Sequence, residues 1–166
     1  MDVIKKIFFS PAAVNFLIGL GLVVGAFMFE FIGYYDPCPL CILQRWAFAF
    51  IAFCGVLLFI PNPYSLISKF LLFAASLLAL GGSIVASRQV YLQHLPIDAI
   101  PTCAPPMDFL MDTLPFMEVI QIILLGDGNC AEYQWRFIFN FAEWALLFFV
   151  GLFLYNLYFL FTGYKR

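Results

Sequence analysis

The chain has 166 residues, of which 64% are apolar and 11% charged, with a formal net charge of −2 and a mean hydropathy of +0.99. A soluble domain is about half apolar and about a quarter charged, so this composition excludes one and indicates an integral membrane protein. No basic cluster suits nucleic acid, and at roughly 20 residues per span the length admits about four membrane helices in a single domain.

Lys5 and Lys6 close a short basic start, and a first span is expected over about residues 7–32. Its charge-free run is longer than the roughly 7–15 apolar residues of a signal peptide and further spans follow, so it is expected to stay in the mature protein. Glu30 is expected to snorkel to the interface, with Tyr34 and Tyr35 at headgroup depth. A short outer loop, about residues 33–40, leads to a second span over about 41–60, with Arg45 in its first turn and a stop at Pro61-Asn62-Pro63. A third span covers about residues 70–88 and the last about 137–162, which closes on Lys165 and Arg166. Between them lies a second outer loop, about residues 89–136, with five prolines and six acids.

The lysines and arginines set the orientation. With a cytoplasmic N-terminus, Lys5, Lys6, Lys69, Lys165 and Arg166 face the cytoplasm, and Arg45, Arg88 and Arg136 face the other side. Cys38, Cys41, Cys103 and Cys130 then all lie outside the cytoplasm, where disulfides form and persist. Cys54 is on the same helix as Cys41 and about 20 Å deeper, which suits a small buried hydrophobe.

The chemistry is expected in Cys38-Pro39-Leu40-Cys41. Two cysteines at this spacing at a helix start close an exchangeable disulfide, or form half of a zinc site. Arg45 follows Cys41 by one turn, and its charge and the helix N-terminus both favour a thiolate there. An arginine near a span end also serves as an interfacial anchor. Cys103 lies in Pro101-Thr102-Cys103-Ala104-Pro105-Pro106, which resists helix and is expected to be extended and accessible. Cys130 follows the turn-forming Gly126-Asp127-Gly128-Asn129. Between them a helix over residues 116–125 gathers Phe116, Val119, Ile120, Ile123 and Leu124 on one face, to lie on the membrane or to pack against the bundle. Glu143 falls roughly 10 Å inside the last span, as a functional acid or as a snorkelling or paired one. His94, the sole histidine, reads as a loop residue rather than a proton carrier.

Four blocks carry a resemblance: Cys38-Pro-Leu-Cys41 followed by Arg45; Arg88-Gln-Val-Tyr-Leu-Gln-His-Leu-Pro96; Pro101-Thr-Cys103; and Gly126-Asp-Gly-Asn-Cys130-Ala-Glu-Tyr-Gln-Trp135. In this order they resemble the disulfide bond formation protein B family, DsbB, over nearly the whole chain. The resemblance implies an all-α bundle of four transmembrane helices in a bacterial inner membrane, with cytoplasmic termini and periplasmic cysteine loops. It implies a relay that reoxidises a DsbA-like dithiol oxidase and passes electrons to ubiquinone or menaquinone. In that relay the partner attacks Cys103 and frees Cys130, electrons reach Cys38 and Cys41 through a Cys38 to Cys130 bridge, and Cys41 faces the quinone. Arg45 would hydrogen-bond a quinone carbonyl, and Arg88 is a second expected quinone contact. Members often carry histidine after that arginine; here it is Gln89, so a role resting on an imidazole does not carry over. Trp46 and Phe31 are candidate quinone walls. A vitamin K epoxide reductase relative would reverse the cysteine order, and a haem protein usually needs paired histidines. The competing class is a non-enzymatic scaffold with structural disulfides or a four-cysteine zinc site.

Overall fold

Apolar runs long enough to span a bilayer become four long helices in the computed structural model, which describes residues 9–33, 37–61, 65–102, 109, 112–126, 128–131 and 138–163. In chain order the elements are α1 (Pro11–Gly33), α2 (Pro39–Leu57), α3 (Leu66–Gln93), a 3-10 turn (Ile97–Ala99), α4 (Phe116–Leu125), α5 (Gly128–Ala131) and α6 (Phe141–Thr162). The expected all-α, four-span architecture is the one observed, and α1, α2, α3 and α6 are the spanning helices.

Helix ends differ from expectation where capping, rather than hydropathy, decides. α3 has 28 residues, so at 1.5 Å per residue it is about 42 Å long and takes in Lys69 and Arg88 instead of stopping at them. Ser65 caps its start, the hydroxyl accepting from Ser68 N at 3.2 Å. α6 begins at Phe141 because Asn140 and Glu143 form a capping box: Glu143 N donates to Asn140 Oδ1 and Asn140 N to Glu143 Oε2, both at 2.9 Å. Glu143 is therefore in the first turn of its helix, not an acid set 10 Å inside the span, and its other oxygen lies 4.0 Å from His94 Nε2.

The spanning helices pack in the cyclic order α1, α2, α3, α6, each antiparallel to its neighbours. Without hydrophobic drive between helices in lipid, close approach depends on small residues. A Cβ on Gly55 would lie 2.6 Å from Phe16 N, and one on Gly19 2.7 Å from Phe48 O, so α1 and α2 touch backbone to backbone. At mid-bundle Phe48 and Phe149 stack with centroids 3.8 Å apart and planes 5° apart, over Gly82, where any side chain would strike the Phe149 ring. Asn15 and Asn156, both fully buried, exchange hydrogen bonds of 2.7 and 2.9 Å between α1 and α6.

This topology brings the C-termini of α1 and α3 and the N-termini of α2 and α6 to one end. The described part of the long loop closes over that end. Gly126 (φ 73°) turns the chain there, and a Cβ on it would sit 2.5 Å from Leu92 and 3.0 Å from Leu40. α4 turns Val119 inward while Met117, Leu124 and Leu125 stay exposed. Packing against the bundle and apolar exposure thus occur on one short helix.

Candidate active site

Cys38 is the N-cap of α2, with Pro39 at the first helical position, where a missing N–H costs nothing. Its sulfur takes the place of the usual capping oxygen and accepts from Cys41 N at 3.3 Å. The Cys38 thiol in turn donates to Cys41 Sγ across 2.7 Å, and a disulfide of about 2.05 Å closes from there with a small side-chain movement.

The two sulfurs have different neighbours. Cys38, 3% exposed, packs with Leu40, Leu92, Ala131 and the fully buried Cys130. Hydrogen bonding to Cys130, then to Cys41, together with burial holds the Cys38 thiol well above its usual range. Cys41 instead lines a cleft of about 260 Å³ between α1, α2 and α6. Leu22, Phe29, Phe48, Trp144 and Phe148 wall that cleft, and Glu30, Gln44 and Arg45 join Cys41 as its polar groups.

Arg45 forms an ion pair with Glu30, and its guanidinium carbon lies 5.2 Å from the Phe27 ring centroid. The expectation that Glu30 snorkels is corrected: it turns to Arg45, because a lone charge facing the bundle interior is costly and the two helices bring opposite charges together. Beneath the sulfurs lie two buried glutamines. Gln44 Nε2 donates to Gln89 Oε1 at 2.7 Å, and Gln89 Nε2 donates to Cys41 Sγ at 3.1 Å and to Cys38 Sγ at 3.5 Å.

A sulfur pair thus stands at a helix start, one sulfur against a loop cysteine and the other in an apolar cleft. The family model described as "Disulfide bond formation protein DsbB" matches residues 10–159. The chain belongs to the DsbB family. A disulfide bond formation protein B of Acinetobacter baumannii is 38% identical over 160 residues, 93% of this chain and 94% of that protein. That of Hahella chejuensis is 36% identical over 137 residues, 82% of this chain and 83% of the relative. Disulfide bond formation protein B 1 of Pseudomonas aeruginosa is 38% identical over 137 residues, 82% of this chain and 84% of its own length. No solved structure matches. Membership in the DsbB family, with four apolar helices, makes this chain a multi-pass bacterial membrane protein of disulfide bond formation.

Within this DsbB member the structure brings Cys38, Cys41, Cys130 and Arg45 to one end of the bundle. Cys103 lies outside the described residues. Among the described residues no group of three or more His, Cys, Asp or Glu is placed to hold a metal ion; Cys103, a ligand of the four-cysteine zinc alternative, is not among them. Arg88 does not line the cleft. Its Nε and Nη2 donate to Leu125 O at 3.2 and 3.0 Å, satisfying a carbonyl that the end of α4 leaves open. Trp46 and Phe31 are 60% and 74% exposed and do not line the cleft, whose aromatic walls include Phe29, Trp144 and Phe148. Cys54 is buried on α2, as its spacing suggested. His94 lies at the C-cap of α3, with Nδ1 2.8 Å from Val90 O. Sequence reading missed Gln44, the contact of Gln89 with the sulfurs and the pairing of Glu30. The available signal was a polar side chain three residues after Cys41 and another beside Arg88, each inside an apolar stretch.

Proposed function

We propose that the chain is a thiol:quinone oxidoreductase that reoxidises a periplasmic, DsbA-like thioredoxin-fold dithiol oxidase and passes two electrons to ubiquinone or menaquinone in the inner membrane. The observation that carries this reading is the division of labour in the sulfur pair: Cys38 is buried against Cys130, and Cys41 lines the cleft. That division supports exchange of one sulfur with the loop and contact of the other with a membrane-borne acceptor.

In this reading the partner's thiolate attacks Cys103 of a Cys103 to Cys130 disulfide, forming a mixed disulfide and releasing Cys130 as thiolate. Cys130 then attacks Cys38, its neighbour in the same cluster, and the electron pair of the broken Cys38 to Cys41 bond leaves on Cys41. The quinone, when bound, supplies the two-electron sink. The cleft suits such a molecule, with aromatic and aliphatic walls for a ring and apolar tail and Arg45 as a donor for a carbonyl oxygen. Arg45 must then share its guanidinium between Glu30 and the acceptor. Arg88 holds α4 near the sulfur pair instead of touching the quinone. The positive-inside count favours cytoplasmic termini and periplasmic cysteines, and the clustering of Cys38, Cys41 and Cys130 at one end agrees with it.

The test is to mix purified protein in detergent with a ubiquinone analogue and a reduced thioredoxin-fold dithiol partner, and to follow loss of the oxidised quinone's absorbance, with Cys41→Ser run alongside. Catalytic quinone reduction by the wild type and none by the variant is expected. If ubiquinone and menaquinone analogues both stay oxidised while the partner stays reduced, the relay is refuted and a scaffold with structural disulfides or zinc replaces it.

A further inference from the structure

Two amides sit where composition gives no reason for them. Gln44 and Gln89 are 6% and 4% exposed on the facing sides of α2 and α3, within two apolar spans. A glutamine amide has a donor end and an acceptor end. Gln44 occupies the acceptor end of Gln89 at 2.7 Å, so the donor end is turned toward the sulfurs, closest to Cys41 at 3.1 Å. Thiol and disulfide sulfurs accept hydrogen bonds weakly. An ionised sulfur accepts far better, since hydrogen bonds to charged groups are about twice as strong as neutral ones. The Gln89 contact therefore favours the state in which Cys41 carries charge.

We infer that Gln89 is a catalytic residue that donates a hydrogen bond to Cys41 as this sulfur leaves the Cys38 to Cys41 disulfide, and that Gln44 is the positioning residue that fixes the Gln89 amide. The inference rests on the relay proposed above and assigns to it a leaving-group contact. In the step concerned an incoming thiolate, Cys130 in the relay, forms a new S–S bond with Cys38. The Cys38 to Cys41 bond breaks and its electron pair goes to Cys41. No proton is transferred, because the attacking sulfur is already ionised and the departing one keeps the charge. Gln89 Nε2–H faces the atom on which that charge lands. Stabilising the reduced side of the couple makes the disulfide a stronger oxidant, so the same contact eases electron entry from the loop cysteines. An amide does this without titrating, unlike an imidazole.

The decisive measurement avoids quinone. In full-length protein carrying Cys103→Ser and Cys130→Ser, the Cys38–Cys41 pair is equilibrated with dithiol redox buffers in detergent and its oxidised fraction is read by alkylation and mass. Gln89→Leu is expected to lower the equilibrium constant for reduction about tenfold, which is about 30 mV toward a more reducing pair. Gln44→Leu is expected to give about a threefold change by loosening the Gln89 amide, and Gln89→His to recover most of the loss by restoring an N–H donor. Where Gln89→Leu fails to fold because Gln44 is left unpaired, Gln44→Leu combined with Gln89→Leu removes both ends of the hydrogen bond and carries the same expectation. A purely packing role would move the thermal midpoint and leave the equilibrium constant within twofold of wild type; that result overturns the inference. If the shift is found in a protein that reduces no quinone, the hydrogen bond stands and the relay falls.

Discussion

Arg45 and Glu30 set the electrostatics of the cleft as a pair, and they respond differently to substitution. Glu30→Gln releases the guanidinium from its counter-ion. Because half-buried ion pairs of this kind contribute up to about 1 kcal/mol, the KM for quinone is expected to fall by about fivefold. Arg45→Leu removes the donor and leaves Glu30 without its partner, and a loss of about 100-fold in quinone-linked kcat/KM is expected, with partner exchange at the loop cysteines retained. Steady-state assays at varied quinone separate the two; equal effects from both variants would mean that the ion pair is only a structural tie. Cys38, Cys41 and Arg45 were legible in the sequence because they lie within eight consecutive positions of one helix start. Glu30 and Gln89 were not, since their partners lie 15 and 45 positions away and depend on how α2 meets α1 and α3.

At the scale of the helices, hydropathy located all four spans and left their ends to cap chemistry. The Asn140-Phe-Ala-Glu143 box was present in the sequence, yet an acid inside an apolar run drew attention to depth rather than to its position three residues after an asparagine. α3 ran past Lys69 and Arg88 because Ser65 caps the helix upstream of Lys69 and the Leu125 carbonyl takes up the Arg88 guanidinium. Helix contacts were less legible than helices, as small residues occur throughout the spans and only the register tells which meet a neighbour. Gly55 is one that does. Gly55→Ala places a methyl group against α1 backbone and is expected to cost about 1–3 kcal/mol, whereas Gly25→Ala meets nothing within 4 Å and is expected to leave the thermal midpoint in detergent unchanged. Equal midpoints for both variants would refute the tight α1 to α2 contact.

For the whole molecule, the alternating topology has a simple experimental signature. In a chain stripped of native cysteines, Thr102→Cys is expected to react with a membrane-impermeant maleimide in intact cells lacking an outer membrane barrier, and Ser65→Cys only after permeabilisation. The reverse pattern would invert the orientation derived from the lysines and arginines. The Phe48 and Phe149 stack then has a further meaning. It fills the middle of the bundle with two rings 3.8 Å apart, and the buried asparagine pair lies beyond it, so the sulfur pair, Arg45 and Glu30 lie on one side of this packed layer. In the proposed relay, protons given up by the dithiol and protons taken up at the cleft are therefore expected to exchange with the same aqueous compartment. Turnover by that relay is then expected to move no charge through the bundle, and its rate in proteoliposomes to be indifferent to an imposed membrane voltage: the protein would form disulfides at the expense of its acceptor without acting as a pump.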